Sequence, residues 1–292
     1  MDCPDTIASY ESDTPSEERP PSQPENIKIH SKFQIARPPP KAPQRLRISP
    51  KLLLQVQQLP SNHRPVPVLE VWQPPLCRSK LTKGFPQRPK LGPKDIYATL
   101  NEPYIPSSVP QGQAPSQPQS TQLKGDSNNQ EKDIIAAICQ PSTNNPTSAI
   151  HFRNARCTWQ ASTVPAGDKN IYKFVIKSKE NTGSEQSRMI MQWEKRTVSR
   201  RESAAGSHTE HFVLVAIDRK ARRKSRVATM NPGGFDITVR KSSVLDHLRT
   251  CMALTEPVSG GSSDSNADLE IWLYTLVLTL GVSVASQEGW LG

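Results

Sequence analysis

Eight consecutive residues, Arg219-Lys220-Ala221-Arg222-Arg223-Lys224-Ser225-Arg226, carry six cationic side chains. Clustered guanidinium and ammonium groups bind phosphates and other anions, and the same pattern serves as a nuclear-import signal. Arg219, Lys220, Arg222, Arg223, Lys224 and Arg226 are therefore the candidate anion- or partner-binding residues. The cluster lies between two apolar runs, which also suits a solvated hairpin loop. No aromatic residue interleaves with it, so stacking on single-stranded bases is not indicated. A second basic pair, Arg200-Arg201, precedes Glu202-Ser203 and makes Ser203 a candidate phosphosite for a basic-directed kinase. Phosphate there would sit among cations and order the loop.

The remaining reactive side chains form no constellation. Of six histidines, His208 and His211 are three apart, but no cysteine or further histidine adjoins them, so solvated loop residues are expected rather than a metal site. The five cysteines, Cys3, Cys77, Cys139, Cys157 and Cys251, form no C-x-x-C pair and are odd in number, which suits a reducing compartment. No usable glycosylation sequon occurs, and the N-terminal MDCPDTIASYESD is acidic with no apolar stretch, so a cytoplasmic or nuclear location is expected. There is no nucleophile elbow, phosphate loop or dinucleotide fingerprint, and Gly233-Gly234 reads as hairpin punctuation. These patterns give no enzyme, no cofactor and no small-molecule substrate. The formal net charge of +10 favours acidic partners such as nucleic acid or anionic lipid.

The cluster must be held by strands. Phe212–Ile217 is an apolar run, Val227–Met230 follows the basic turn, and Asn231-Pro-Gly-Gly234 makes a second turn. Phe235, Ile237 and Val239 then alternate with Asp236 and Thr238. Earlier alternation predicts strands at Arg156–Gln160, at Ile171–Lys177 with Tyr172, Phe174 and Ile176 on one face, and at Met189–Glu194. About six strands in sequential order imply an antiparallel β-meander with one buried face.

Prolines divide the chain, since 25 of 28 precede residue 151. Proline removes a backbone donor, so continuous helices and central strands are not expected there. Residues 1–48 read as disordered; Arg37-Pro-Pro-Pro-Lys41 within them suits a solvated linker or a polyproline ligand. Residues 49–105 read as short segments docked on the domain. Ser49 as cap, Pro50 at the first turn and Pro60 as stop predict a helix whose apolar face is Leu52, Leu53, Val56 and Leu59. Val66–Trp72 reads as an edge strand because of Pro67. Residues 106–150 read as a flexible linker, with Asp133–Cys139 either helical or extended, and 151–292 as the globular part.

Two helices close that part. Ser243 and Asp246 have capping-box spacing before an apolar stripe of Val244, Leu245, Leu248, Cys251 and Met252. Ser265 and Asp268 repeat the spacing before a helix apolar on every side. Its uncharged run, Ile271–Ala285, covers roughly 22 Å at ~1.5 Å per residue. A bilayer core needs about 30 Å. A helix buried under the sheet is therefore favoured over a membrane-associated tail through Leu269–Ala285. The expected class is α+β: a meander packed on an apolar C-terminal helix, behind a long Pro-rich region.

Ser49–Leu59, Leu91-Gly-Pro-Lys-Asp95, Arg222–Met230 and Gly281–Trp290 together resemble a group of uncharacterised filamentous-fungal (ascomycete) proteins. The resemblance implies a docked N-terminal segment, an alternating sheet and an apolar terminal helix ending in Glu-Gly-Trp; it implies no activity. A sheet wrapped on such a helix is also similar, in architecture alone, to tubby-like lipid-binding domains. The function expected is a non-enzymatic intracellular binding or scaffold domain with a protein partner. The alternatives are peripheral binding of anionic lipid or nucleic acid through the basic hairpin, and a C-terminal membrane anchor.

Overall fold

A computed structural model describes residues 29–39, 49–106, 134–141, 147–177, 189–198, 209–239 and 266–291, except 62–63, 77–78, 82–83, 86, 88, 156, 168 and 220–221, together with Val244, Leu245 and Leu248. Twelve antiparallel strands close into a barrel, and the C-terminal helix runs through it. The open six-strand meander expected from the sequence is corrected by this ring. The six strands are present in meander order: β9 (Thr158–Ala166), β10 (Lys169–Lys177), β11 (Met189–Val198), β12 (Thr209–Asp218), β13 (Arg223–Asn231) and β14 (Gly234–Val239). They make half of the wall. The Pro-rich half of the chain supplies the rest, and unpaired sheet edges are avoided by closure.

β1 (Ile29–Ala36) closes the ring between β14 and β2 (Lys51–Gln58). Ile29, Ser31 and Phe33 are buried while His30 and Lys32 are exposed, so the expected disorder does not extend to these residues. The expected helix at 49–59 is strand β2. Its leucines fit a helical stripe and a pleat equally well, and a ladder to β1 and β3 (Val66–Gln73) decides between them. Leu54, Val56 and Gln58 point inward. Outside, Gln34 donates to Gln57 (2.6 Å), Gln57 to Gln55 (2.9 Å) and Gln55 to Glu70 (3.5 Å), an amide ladder across three strands.

β3 is paired on both sides, with β2 and β6 (Ile96–Leu100), and is not an edge. Pro67 is tolerated because the β2–β3 register shifts beside it. Within the stretch read as linker, β7 (Ile134–Cys139) and β8 (Ser148–Phe152) join β6 to β9. β7 is apolar on both faces for a reason. Ala136 and Ile138 face the lumen, while Ala137 is covered outside by Leu81, Phe85 and Leu91 around the small β4 (Ser79–Lys80) and β5 (Lys90–Leu91) pair. Asp95 holds this corner, accepting from the amides of Gly92 (2.5 Å) and Gln140 (2.8 Å).

The helix spans Asn266–Gln287. Every residue from Leu276 to Ala285 but none of its ends is continuously buried, which requires wall on all sides. Tyr274 meets the rings of Phe33 and Tyr104 at 5.3 and 5.8 Å. Gly281 lies against Phe235 and Met230 on the adjoining strands β14 and β13, where a Cβ would come within 2.3 Å of the Phe235 ring. The 22-residue helix is longer than its uncharged run, so by length and composition it is the one described helix able to cross a membrane. In the structure it fills the barrel.

The helix ends in a Schellman turn. Trp290 N–H donates to Ala285 O (2.8 Å), Gly289 N–H to Ser286 O (3.3 Å), and Gly289 takes φ +74°. Trp290 then packs edge-on against Phe212 (5.5 Å). The Gly-Trp of the ending thus has a structural role at each residue. Of the other expected helix, Val244, Leu245 and Leu248 are helical and buried in the same core; Ser243, Asp246, Cys251 and Met252 lie outside the described residues.

Candidate functional site

With the lumen filled by side chains, surfaces available to a partner lie outside the barrel or at its mouths. The outside of β11–β13 carries Lys224 and Arg226, while Arg223, paired with Asp218 in line with lumen-facing Ala216, stands on the other face of the hairpin tip. β12 and β13 pair from Asp218↔Arg223 onward, and Arg222 ends the turn at φ +51°, a left-handed conformation that costs a non-glycine residue of order 1 kcal/mol. Arg219, Arg222, Arg223, Lys224 and Arg226 are exposed. Arg222, Arg223 and Arg226 have no ion-pair partner among the described residues. Lys220 and Ser203 lie outside the described residues, as does His208.

Lys224 is committed differently. Its Nζ reaches Glu194 Oε1 on β11 at 3.2 Å, and Arg196 reaches Glu194 Oε2, also at 3.2 Å. Gln192 donates to the same carboxylate (3.1 Å). Because β12 lies between β11 and β13, the lysine stem must cross over β12. Val213 and Val215 face outward along this crossing, flanked by Gln192, Glu194, Thr229 and Arg226, and are only 3% and 5% exposed. Burial raises the Glu194 carboxyl, but the hydrogen bonds from Lys224 and Arg196 bring it below its ordinary value. Lys173 shares the row Lys173–Gln192–Val215–Arg226. At about 4.8 Å per strand, the two cations at its ends stand roughly 14 Å apart.

Sequence reasoning found the hairpin but missed Glu194 and Arg196. The signal was present, since alternation puts Gln192 and Glu194 on the face opposite Met191 and Trp193. What the alternation lacks is register, and a one-residue slip would send Glu194 to the core.

A second polar cluster closes the mouth where the helix ends. Lys195 Nζ lies 2.8 Å from Glu210 and 3.3 Å from Glu288, Tyr172 donates its hydroxyl to Glu288, and Lys195 stands 5.9 Å from the Phe212 ring centre. The Glu210 contact, outweighing the burial that opposes it, and then Glu288 hold the ammonium above its ordinary pKa. Burial and then Glu288 push the Tyr172 hydroxyl well up. A firmly protonated lysine is no nucleophile, so this cluster latches the helix. Arg37, beyond β1, adds a hydrogen bond to Trp290 O (3.3 Å).

The described thiols are quiet as well. Burial, then the Asp95 charge, pushes Cys139 up to about 12, and burial pushes Cys157 to about 11; neither is in a disulfide. Burial lowers His151. Among the described residues no three His, Cys, Asp or Glu side chains converge to hold a metal ion. No protein-family model, curated protein or solved structure matches the chain.

Proposed function

We propose that the chain is a non-enzymatic intracellular binding domain that works with the outside of its barrel and docks through the β12–β13 hairpin on an anionic lipid surface. The observation that carries this reading is the set Arg222, Arg223 and Arg226, exposed and without ion pairs among the described residues, beside a lumen already filled by the helix. An exposed hairpin tip bearing guanidinium groups on both its faces, without interleaved aromatic rings, suits headgroups better than stacked bases. The unpaired thiols Cys139 and Cys157 support an intracellular site.

Vesicle flotation tests the reading. Phosphatidylcholine vesicles with about 20 mol% phosphatidylserine should carry the full chain at low salt and release it at high salt, whereas neutral vesicles should not carry it. Each basic residue near such a surface is worth roughly 1 kcal/mol. The triple variant R222A/R223A/R226A should therefore bind on the order of 100-fold more weakly. Flotation equal to that of the parent refutes lipid docking at this face. Retention of the parent on duplex nucleic acid, or on a protein partner, but not on acidic vesicles would move the function to that partner.

A further inference from the structure

The basic face contains its own anion. Glu194 accepts from Lys224, Arg196 and Gln192 at 3.1–3.2 Å, and its side chain is only 19% exposed, while Lys224 and Arg196 are 60% and 55% exposed. The two cations are thus open to an incoming ligand on one side and held on the other. A ligand that contacts a single cation must give up as much as it gains, because the carboxylate already supplies that contact. A ligand that presents several charges at once can meet Arg226 and the tip residue Arg222 first and then exchange with Glu194 at Lys224 and Arg196. We infer that Glu194 is a built-in competitor for the anion on this face and sets its selectivity, so that clustered phosphates bind and dispersed single charges do not.

The inference rests on the reading that the hairpin face binds anions, and it adds the residue that tunes it. Glu194→Gln keeps the size of the side chain, retains an acceptor for Lys224 and leaves Val213 and Val215 covered. Freeing one cation's worth of charge should tighten binding to vesicles with about 20 mol% phosphatidylserine roughly fivefold. It should also narrow the advantage of inorganic tripolyphosphate over orthophosphate as a soluble competitor, compared at equal total phosphate. The competitors separate headgroup chemistry from a bilayer requirement: a vesicle bound but unmoved by either one needs the bilayer itself.

The parent protein offers an independent reading. The carboxyl carbon of Glu194, followed by nuclear magnetic resonance, should titrate at higher pH when tripolyphosphate is saturating, because its cations have been drawn away. A folded E194Q variant that gains less than twofold, or gains while keeping the parental tripolyphosphate preference, overturns the inference. So does a Glu194 titration unmoved by tripolyphosphate, and this measurement stands even if E194Q fails to fold. If R222A/R223A/R226A binds like the parent, the anion reading itself has failed; if that variant loses binding while Glu194 is silent, only the competitor has.

Discussion

Replacing Gly281 by alanine places a methyl group where the structure has none to spare. The new Cβ would stand 2.3 Å from Phe235 Cε1, 3.0 Å from Cζ and 3.1 Å from Met230 Sδ, whereas ordinary contact begins near 3.4 Å. Something must move by about 1 Å. Phe235 and Met230 are 4% and 1% exposed, so neither side chain can swing into solvent. Overpacking of this kind costs up to ~3 kcal/mol. Alanine returns about 1 kcal/mol of helix propensity. The net loss is then about 2 kcal/mol, or a drop in Tm of roughly 4–8 °C for a chain of this size. Urea and thermal unfolding followed by circular dichroism measure it. Phe235→Leu in the same protein should recover part of the loss, a coupling of 0.5 kcal/mol or more being typical of residues in contact. A G281A protein as stable as the parent, or more stable, would mean that only propensity acts there and that the helix does not lie against β13 and β14.

Glu288→Ala should strip Tyr172 of its acceptor and leave Lys195 to Glu210 alone; the expected cost is ~1–3 kcal/mol, with faster amide exchange in the last helical turn and no change in vesicle binding. Glu194, held below its ordinary value in the fold, contributes stability above the ordinary glutamate range, and this is lost as pH falls through the folded value; E194Q should flatten that acid limb in pH-dependent melting. Native Cys139 and Cys157 should label slowly with a thiol reagent at pH 8 and quickly in denaturant, as single cysteines in the full chain, because burial holds both thiols protonated. Alkaline carbonate should leave the protein in the soluble fraction of disrupted cells if the Asn266–Gln287 helix fills the barrel there as it does in the structure; recovery in the membrane pellet would favour the anchor.

Strands β10 and β14 were legible because they alternate cleanly. Tyr172, Phe174 and Ile176 point inward, as do Phe235, Ile237 and Val239, and local period is all that such a reading needs. What was lost needed non-local information. Lys51–Gln58 is flanked by a cap (Ser49), a first-turn proline (Pro50) and a stop (Pro60), each of which is local and argues for a helix. Its strand state comes from ladders to β1 and β3, whose pairing partners no window around residue 54 contains. Proline density misled in the same way. Pro67 sits at a register shift, so β3 keeps a partner on each side. β7 gave no alternation because Ala137 is covered from outside by Leu81, Phe85 and Leu91, a covering that is tertiary. The membrane argument measured the uncharged run, whereas the helix extends five residues further toward its N-terminus, where Glu270 is buried and accepts from Tyr274.

Closure and filling explain each other. A ring of twelve strands encloses more space than its own inward side chains occupy, since eight-stranded barrels are already just filled by theirs. A helix about 10 Å across with its side chains is a natural occupant. Gly281 thins that helix where Phe235 and Met230 intrude, and Glu288, Gly289 and Trp290 fix its depth at the mouth through Lys195, Tyr172 and Phe212. An apolar helix that would be an anchor elsewhere thus becomes the core. On the proposed function, recognition would fall to the outside, where Arg222 and Arg226 are exposed and have no ion-pair partner among the described residues. In that proposal the barrel would serve as a rigid mount, and the charge balance between Glu194, Lys224 and Arg196 would set what the mount can hold.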